Sequence, residues 1–403
     1  MASPLFPSSE ELQQQIKGLS DAADSYSPSP EGHGARMRLI GQAQQLIASL
    51  TDPSDMGLKQ ITQAMELVAT RALLHIKAFQ HIPPAGSISL SDLANATNCE
   101  EALLERLLRM LVCTSFIRQL PDGQYAHTKF SVAYAAMPGP GLHFQLIYDE
   151  SMLNIDNIHL YFDEKGWKEP ADQRYSPYAW KAGQEGTTIW EIMAQNPARF
   201  QAFQAGIGFA TASVPLTGFY DFSTLSTEGD RPVLVDVGGG NGRSIRRIME
   251  AHPDLPAHKF ILQDLPEVVK GQVDPELPKE VKVMAHDFFT SQPVQGAKAY
   301  FLRWIMHDYS DPVCVDILKQ IVPAMEPDSV VLLADLSFPS KIAGPGDIPN
   351  ATMDMVIFNM GGKERAVDDF KKLLETAGLE FVKAHRLEGA NSGIIEARLP
   401  SGK

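Results

Sequence analysis

The sequence predicts an α/β protein whose larger part is a doubly wound, mostly parallel sheet that ends in an antiparallel hairpin. Three observations predict this fold. Beyond residue 226, short apolar runs alternate with helical patterns, as in βαβ units. The two β-prone runs nearest the C-terminus are separated by a short turn, so they pair antiparallel. Before residue 226, apolar residues recur at helical spacing, which predicts a separate helical part.

Length and composition limit the possible classes of protein. The chain has 403 residues, 44% of them hydrophobic, which is enough for two domains with their own cores. A net charge of −14 argues against nucleic-acid or anionic-lipid partners. The three cysteines have no CxxC spacing, which excludes a cysteine-built metal site and fits a reducing compartment. With no leader and no run of about 20 apolar residues, the predicted location is cytoplasmic, without a membrane partner.

We divide the chain into three parts. Residues 1–36 hold an early amphipathic stretch and the Ser/Pro/Gly-rich run from Ser25 to Gly34, which we interpret as a tether. Residues 37–225 form a helical domain, and residues 226–403 form the domain that contains the sheet.

A winged-helix unit is predicted within the helical domain. Ser89 or Ser91 caps a short helix that ends near Asn98, and a second helix runs from Glu100 to Cys113. Two β-prone runs around a Pro-Asp-Gly turn follow, starting at Phe116. Units with this order of helices and strands bind DNA in many proteins, so a DNA-binding regulator is one hypothesis.

The charges of the second helix speak against DNA. Its first turn holds Glu100 and Glu101, with Glu105 one turn later, where phosphates and base edges would be met. Only Arg106 and Arg109 offset them. An architectural or dimer-forming role is favoured.

The domain that contains the sheet has seven predicted strands. These β-prone runs are Val233–Val237, Lys259–Gln263, Val281–Ala285, Ala299–Arg303, Ser329–Asp335, Leu379–Leu387 and Ser392–Leu399.

The clearest local signal follows the first of these strands, where four glycines occupy five positions before a helix that starts near Ser244. Glycine is needed where a ligand approaches the backbone too closely for a Cβ. We therefore predict that Gly238, Gly240 and Gly242 bind a nucleotide-like ligand at the carboxyl end of the strand. A tight turn without a ligand is the alternative.

Spacing restricts the ligand. A dinucleotide fingerprint needs glycine at 243, where Arg243 stands, and the ending of a phosphate P-loop is absent. Asp236 would repel a pyrophosphate but suits a cationic or amino-acid group. Asp264 ends the second strand, where an acid accepts ribose hydroxyls, and Asp287 beside Phe288 could hold an adenine. A ribose, an adenine and a positive amino-acid portion together describe S-adenosylmethionine.

Four motifs resemble one known family. They are Asp236-Val-Gly-Gly-Gly-Asn-Gly, Asp264-Leu-Pro, the run from Arg303 to Asp311, and Gly361-Gly-Lys-Glu-Arg. They resemble the S-adenosylmethionine-dependent O-methyltransferases of the plant caffeate and isoflavone type and of many fungal secondary-metabolite pathways. The resemblance covers nearly the whole chain. It implies a class I methyltransferase sheet, an N-terminal winged-helix dimerisation domain, a homodimer and an aromatic or polyketide-like substrate.

The resemblance also implies a catalytic base. A phenol has a pKa of about 10 and a histidine about 6.5, so a placed histidine can take the hydroxyl proton as the methyl group moves. His307 follows the fourth strand and matches the family's base, and Asp335 and Glu364 match its two flanking acids. The alternatives are a helix-start role for the histidine, a strand-end cap for Asp335, and an ion pair with Lys363 or Arg365 for Glu364.

Further residues are assigned by the same resemblance. For the cofactor they are Leu265, Asp287, Phe288 and Arg303, the last standing where plant relatives carry lysine. For the acceptor they are Phe200, Phe203, Ile207, Trp304, Met355 and Asn359. Such Phe and Met side chains can equally belong to a core.

The predicted function is O-methylation of a phenolic or enolic hydroxyl on a small metabolite. Besides the DNA-binding regulator, two alternatives stay open. One is a binding protein that has lost chemistry. The other is an enzyme that uses the positive charge of the cofactor for a pericyclic or dehydration step without methyl transfer.

Overall fold

The fold is that of a computed structural model, which describes residues 6–28, 33–137, 139–170, 172–213, 216–271, 273–335, 337–338, 347–386 and 392–401. Contacts between residues divide the chain into two compact units. The first comprises Met1–Leu153 with Met193–Ser213, and the second comprises Asn154–Ile192 with Val214–Lys403.

Helices and strands are numbered in chain order within the described ranges. The helices α1 to α18 are Ser9–Asp24, His33–Leu50, Met56–His75, Ala78–His81, Leu90–Thr97, Glu101–Cys113, Lys129–Ala135, Pro140–Ile147, Leu153–Ile155, Ile158–Lys165, Pro177–Lys181, Ile189–Ala194, Pro197–Ser213, Arg243–Ala251, Pro266–Gly271, Asp311–Ile321, Ile348–Asn359 and Val367–Thr376. The strands β1 to β11 are Ile117–Gln119, Tyr125–His127, Leu234–Val237, Phe260–Asp264, Lys282–Ala285, Ala299–Arg303, Val330–Ala334, Ser337–Phe338, Arg365–Ala366, Glu380–Arg386 and Gly393–Arg398.

The first unit contains the predicted order of two helices and a hairpin, formed by α5, α6 and β1–β2. Ser89 is the N-cap of α5, because its hydroxyl accepts a hydrogen bond from the Asp92 N–H at 3.0 Å. The helix ends at Asn98, which adopts the left-handed conformation. Strands β1 and β2 pair antiparallel, with Ile117 opposite His127. Of the two predicted caps, Ser89 is the one used.

The early amphipathic stretch of the N-terminal segment forms helix α1. A capping box between Ser8 and Glu11 starts α1, and the Ser49 hydroxyl of α2 donates to Gln15 Oε1 of α1 at 3.0 Å. Within the run that we interpreted as a tether, residues 29–32 lie outside the described residues, and α2 already begins at His33.

The second unit contains the predicted seven-stranded sheet, in the order β10-β11-β7-β6-β3-β4-β5. Strand β3 pairs parallel with β4 and β6, and the parallel pairing continues to β5 and β7. Strand β11 is antiparallel to both β7 and β10, so the predicted hairpin is confirmed. The carboxyl ends of β3, β4 and β6 lie at one edge of the sheet, where doubly wound folds place their sites.

Neighbouring residues of the central strands enter different cores. Val235 and Tyr300 belong to a buried cluster that includes residues of α16 and α18. Leu234 and Phe301 belong to a second cluster, which includes residues of α14. Because both faces of the sheet are covered by helices, its strands appear in the sequence as continuous apolar runs.

The two compact units differ from the domains drawn from the sequence. Residues 154–192 belong to the unit that contains the sheet, although the predicted boundary lies near residue 225. Helical periodicity cannot reveal this, because it reports the type of element and not the element's neighbours. The three-part division stays a prediction.

Candidate active site

The glycine loop between β3 and α14 leaves little room for a side chain at three of its four glycines, including Gly242, where a Cβ would lie 2.9 Å from Leu277 Cδ2. A Cβ at Gly238 would lie 2.7 Å from Ile305 Cδ1, and a Cβ at Gly239 would lie 2.5 Å from Asp236 Cγ. The sequence analysis did not assign Gly239 to the site, although the run of glycines was the available signal. All three predicted loop glycines have positive φ: Gly238, Gly240 and Gly242.

Asp236 lies in β3 directly below this loop. The residue is fully buried, and neither carboxylate oxygen has a hydrogen-bond partner among the described residues. Burial raises the pKa of Asp236 to about 7, against the opposing effect of Arg303. A buried carboxylate without a partner is unfavourable in the free protein, so this position suits a cationic group of a ligand.

Asp264 ends the neighbouring strand, β4. Its Oδ2 accepts the Gly240 N–H and its Oδ1 accepts the Leu265 N–H, both at 2.7 Å. Burial raises the pKa of Asp264, while these two hydrogen bonds act in the opposite direction. Each carboxylate oxygen keeps a second lone pair. Asp264 can therefore accept hydroxyl groups while it holds the glycine loop.

Asp287 and Phe288 follow β5. Asp287 is exposed, and its Oδ1 accepts the Phe289 N–H at 3.0 Å. Phe288 lies against the glycine loop, because a Cβ at Gly238 would come 3.4 Å from Phe288 Cε1. The structure thus places an aromatic ring beside the loop and a carboxylate next to that ring.

Arg303 and Trp304 end β6 and begin the following loop. The Arg303 guanidinium lies 5.6 Å from the centre of the Trp304 ring, and Trp304 adopts φ +57°. Burial and the neighbouring Arg247 lower the pKa of Arg303 to about 10, although Asp236 and Asp335 act in the opposite direction. The predicted cofactor residue is therefore a partly buried cation that interacts electrostatically with two buried acids.

His307 lies in a single 3₁₀ turn, Met306–Asp308, and is 6% exposed. Its Nδ1 donates to Glu364 Oε1 at 2.8 Å, and its Nε2 lies 3.5 Å from Asp308 Oδ1. The alternative ion pairs for Glu364 do not form, because Lys363 pairs with Glu169 and Arg365 with Asp311. The structure brings the histidine and one predicted acid into direct contact.

Asp335, the second predicted acid, follows β7 and does not hydrogen-bond the histidine. Its carboxylate oxygens are buried and have no hydrogen-bond partner among the described residues. Burial raises the pKa of Asp335 to about 7, and the charge of His307 opposes this rise. Its influence on the histidine is electrostatic in this structure.

Four ionisable groups therefore share one buried region. Burial alone lowers the pKa of His307, but Glu364, Asp308 and Asp335 together outweigh it and raise the pKa to about 10. Burial also raises the pKa of Asp308 to about 6. Sequence reasoning did not assign Asp308, although it adjoins the histidine in the motif.

The predicted acceptor residues are divided between the two units. Phe200, Phe203 and Ile207 lie on α13 in the first unit, and Met355 and Asn359 lie on α17 in the second. Asn359 is fully buried and Met355 is half exposed. The ring of Trp304, the remaining member, lies 5.9 Å from the His307 ring. The roles of these six residues stay predictions.

Two protein-family models match this chain. Residues 172–380, about half of the chain, match the model of an O-methyltransferase domain, and residues 59–137 match an O-methyltransferase dimerisation domain. The chain belongs to the O-methyltransferase family. The predicted family, the enzyme class and the use of S-adenosylmethionine are thereby confirmed.

Individual relatives of this O-methyltransferase agree. Methyltransferase cfoD of Aspergillus candidus is 31% identical over 381 residues, covering 91% of this chain and 93% of that protein. The structure of OxaC with sinefungin and meleagrin has a TM-score of 0.87 and 26% identity, covering 97% of this chain and 100% of that one. A structure described as a pericyclic reaction enzyme has a TM-score of 0.83 at 24% identity, covering 97% and 100%. This last likeness shows the fold alone.

Across the described ranges, no helix combines the length and apolar character needed to cross a bilayer. Within the same part of the chain, no group of three or more His, Cys, Asp or Glu side chains is arranged to hold a metal ion.

Proposed function

We propose that this enzyme methylates a phenolic or enolic hydroxyl of a small aromatic or polyketide-like secondary metabolite, with His307 as general base. The observation that carries the proposal is the buried hydrogen bond from His307 Nδ1 to Glu364 Oε1 at 2.8 Å. Methyl transfer to oxygen needs a group that removes the hydroxyl proton, and this pair supplies one at the carboxyl edge of the sheet.

The Glu364 hydrogen bond fixes the tautomer of the base. Because a carboxylate only accepts, the proton of neutral His307 stays on Nδ1, and Nε2 is the atom that takes the acceptor's proton. The imidazolium formed in this way is stabilised by Glu364 and by the nearby Asp308 and Asp335 charges. When bound, S-adenosylmethionine supplies an electrophilic methyl group.

The carboxylates also strengthen the base. Glu364, Asp308 and Asp335 raise the pKa of His307 above its ordinary value, so they stabilise the imidazolium that forms as Nε2 takes the acceptor's proton. We expect a phenol or an enol rather than an aliphatic alcohol as acceptor, because the pKa of a phenol is about 10 and its proton is easier to remove.

The cofactor residues follow from the same geometry. The partnerless, buried Asp236 carboxylate and the glycine loop without room for side chains fit a cationic ligand that lies against the backbone. We assign the ribose hydroxyls to Asp264, with Leu265 beside it, and the adenine to Asp287 and Phe288. Arg303 remains the candidate partner of the cofactor's carboxylate.

We assign the acceptor to Trp304, Met355 and Asn359 of the second unit. The acceptor roles of Phe200, Phe203 and Ile207 of α13, in the first unit, stay predictions from the sequence. OxaC, solved with meleagrin, supports a small-molecule acceptor rather than a macromolecular one.

The test is incubation with methyl-labelled S-adenosylmethionine and a panel of phenols, enols and aliphatic alcohols, read by mass spectrometry. We expect label in the product and one S-adenosylhomocysteine released per product, with phenols or enols preferred. A product that forms without label or S-adenosylhomocysteine would instead favour the pericyclic or dehydration alternative. Cofactor binding without any product across the panel would favour the binding protein.

Replacing Asp264 by asparagine is expected to weaken S-adenosylmethionine binding about tenfold. One charge-assisted hydrogen bond to a ribose hydroxyl becomes a neutral one, while an oxygen remains to hold the glycine loop. Isothermal calorimetry measures the change. An Asp264→Asn variant with the wild-type affinity for S-adenosylmethionine would contradict the assignment of Asp264 to the ribose.

We further propose that the protein is a homodimer formed through its N-terminal helices. Large apolar side chains there are exposed in the single chain, including Leu58 at 71%, Ile61 at 58% and Ile47 at 56%. Exposed apolar surface of this extent marks an interaction site. The match to a dimerisation domain over residues 59–137 supports the same conclusion.

The double substitution Leu58→Glu with Ile61→Glu should convert the dimer to a monomer. Two buried charges at an apolar interface oppose association. Light scattering should give about twice 44.3 kDa for the wild type and 44.3 kDa for the variant. Lys59→Glu, in the same turn of α3, is the charge control and should stay dimeric. A wild type that is monomeric at micromolar concentration would contradict the proposal.

We also propose that the enzyme is cytoplasmic and that it does not bind nucleic acid. All three cysteines are free, as expected in a reducing compartment. Helix α6, which would read DNA in a winged-helix regulator, has an acidic first turn, and its Arg109 pairs with Glu105. A gel shift at low salt with mixed DNA fragments should show no complex.

A further inference from the structure

The turn that carries His307 and the next residue, Tyr309, are held by hydrogen bonds to every one of their carbonyl oxygens. These oxygens belong to four successive residues, Met306, His307, Asp308 and Tyr309. Each accepts a donor from a distant part of the second unit. A single 3₁₀ turn has little internal hydrogen bonding, so its position depends on such outside partners.

Two of these oxygens are held by Arg365. Its side chain is completely buried, and its guanidinium donates to Met306 O and to Tyr309 O, each at 2.7 Å. The remaining edge of the guanidinium donates to Asp311 Oδ1 at 2.8 Å. The planar guanidinium therefore holds the main chain on both sides of His307 by hydrogen bonds.

The other two oxygens are held by a backbone N–H and by a glutamine. The Lys363 N–H donates to His307 O at 2.7 Å. Gln173, which is 5% exposed, donates from Nε2 to Asp308 O at 2.6 Å. Gln173 lies 135 residues before Asp308 in the chain.

The glycines of the Gly361 motif allow this approach. At Gly362 a Cβ would collide with His307 O, and at Gly361, which has φ +85°, a Cβ would come within 3.0 Å of Gln173 Cα. The same short segment then continues into Glu364, the partner of the histidine ring. The ring and the main chain of His307 are thus positioned by one segment together with Gln173.

We propose that Gln173 and Arg365 are positioning residues for methyl transfer, which hold the His307 turn so that Nε2 faces the acceptor hydroxyl. This inference rests on the proposed function of His307 as the base. Neither residue touches the ring itself. A displacement of about 1 Å of a catalytic group lowers a rate by roughly 10²-fold, so loss of one clamp has a measurable effect.

Gln173→Met tests the proposal, because methionine has a similar length but no donor. We expect methyl transfer at saturating S-adenosylmethionine to fall about 10–100-fold, with cofactor affinity unchanged by calorimetry. Raising the pH toward the pKa of a phenolic acceptor should reduce the deficit, because the phenolate then forms without the base. Arg174→Met, in the same turn with a surface ion pair to Asp172, is the matched control and should retain the wild-type rate.

A double-mutant cycle with His307→Gln separates this inference from the proposed function. If Gln173 acts through the histidine, adding Gln173→Met to His307→Gln should cause little further loss. A full additional loss, or no loss in the single Gln173 variant, overturns the positioning role. If His307→Gln itself has no effect, the proposed base fails, whatever Gln173 does.

Arg365→Lys supplies a second variant. Lysine keeps the charge but cannot hold Met306 O and Tyr309 O together, so the rate should fall further than in Gln173→Met. Because Arg365 is fully buried, the thermal melting of the Arg365→Lys variant is compared with that of an Arg231→Lys variant. Arg231 is an arginine of the same unit whose side chain donates to Gly296 O and to Asp328. A folded Arg365→Lys variant with the wild-type rate would contradict the proposal.

Discussion

Replacing His307 with glutamine is expected to lower the rate of methyl transfer by about 10²–10⁴-fold. Glutamine keeps a polar side chain of similar reach but cannot accept the acceptor's proton as a base. Cofactor affinity should barely change, because no assigned cofactor contact involves this residue. The measurement is S-adenosylhomocysteine release in single turnovers with a responsive phenol.

The dependence on acceptor acidity gives the sharper readout. Ring substituents that withdraw electrons lower the pKa of a phenol, so more phenolate forms without help from the protein. The deficit of His307→Gln should therefore shrink along such a series and shrink also as the pH rises. His258→Gln, an exposed histidine before β4, should behave as the wild type. A deficit that is the same for all acceptors would show that the histidine is not the base.

Replacing Asp236 with asparagine is expected to change cofactor binding and stability in opposite directions. S-adenosylmethionine affinity should fall about 10–100-fold, because a buried, charge-assisted contact to a cationic group is lost. The free protein, in contrast, should become more stable above pH 7. Calorimetry and thermal melting on the same samples measure both changes.

The direction with pH follows from the raised pKa. Asp236 has a pKa of about 7 in the folded chain and an ordinary value of 3.8, so the folded state binds the proton more tightly. Its contribution to stability is therefore complete below pH 3.8 and is lost as the pH rises through 7. One pKa unit corresponds to about 1.4 kcal/mol, so the burial of this charge costs a few kcal/mol at pH 8.

The Asp236→Asn variant carries no such charge. Its free energy of unfolding relative to that of the wild type should therefore rise between pH 4 and 7 and then level off. Asp254→Asn, at an exposed carboxylate of the same unit, should show no such trend. Equal melting temperatures at pH 8 would mean that the Asp236 carboxylate is not destabilising in the free protein.

The strands of the sheet could be predicted because each lies between turn signals and is rich in apolar residues. Ala299–Arg303 was predicted with the bounds that the structure has for β6, and the other six strands differ by one or two residues at their ends. The two-residue strands β8 and β9 were missed, since two residues carry no periodicity. The placement of residues 154–192 depends on tertiary contacts that no local pattern encodes.

The site could be predicted where its residues follow strands. Asp236 and Asp264 are among the last two residues of β3 and β4, and His307 lies in the loop after β6. Parallel strands bring such ends to one edge. Gln173 does not follow a strand, because it lies in the short 3₁₀ turn Gln173–Tyr175. Only the folded chain shows its hydrogen bond to Asp308 O. Asp335 was assigned as one of the two acids that flank the histidine, and only the folded chain shows that its carboxylate oxygens have no hydrogen-bond partner among the described residues.

The position of β11 in the sheet has a consequence for synthesis on the ribosome. Gly393–Arg398 follows the other six strands of the sheet in the chain, yet it lies between β7 and β10 and is the only sheet neighbour of β10 among the described strands. Until this segment emerges, β10 has no edge to join, and the open side of β7 exposes unpaired backbone groups. The nascent enzyme therefore completes this seven-stranded sheet only after residues 393–398 have been translated, and a premature stop before residue 393 leaves an aggregation-prone edge.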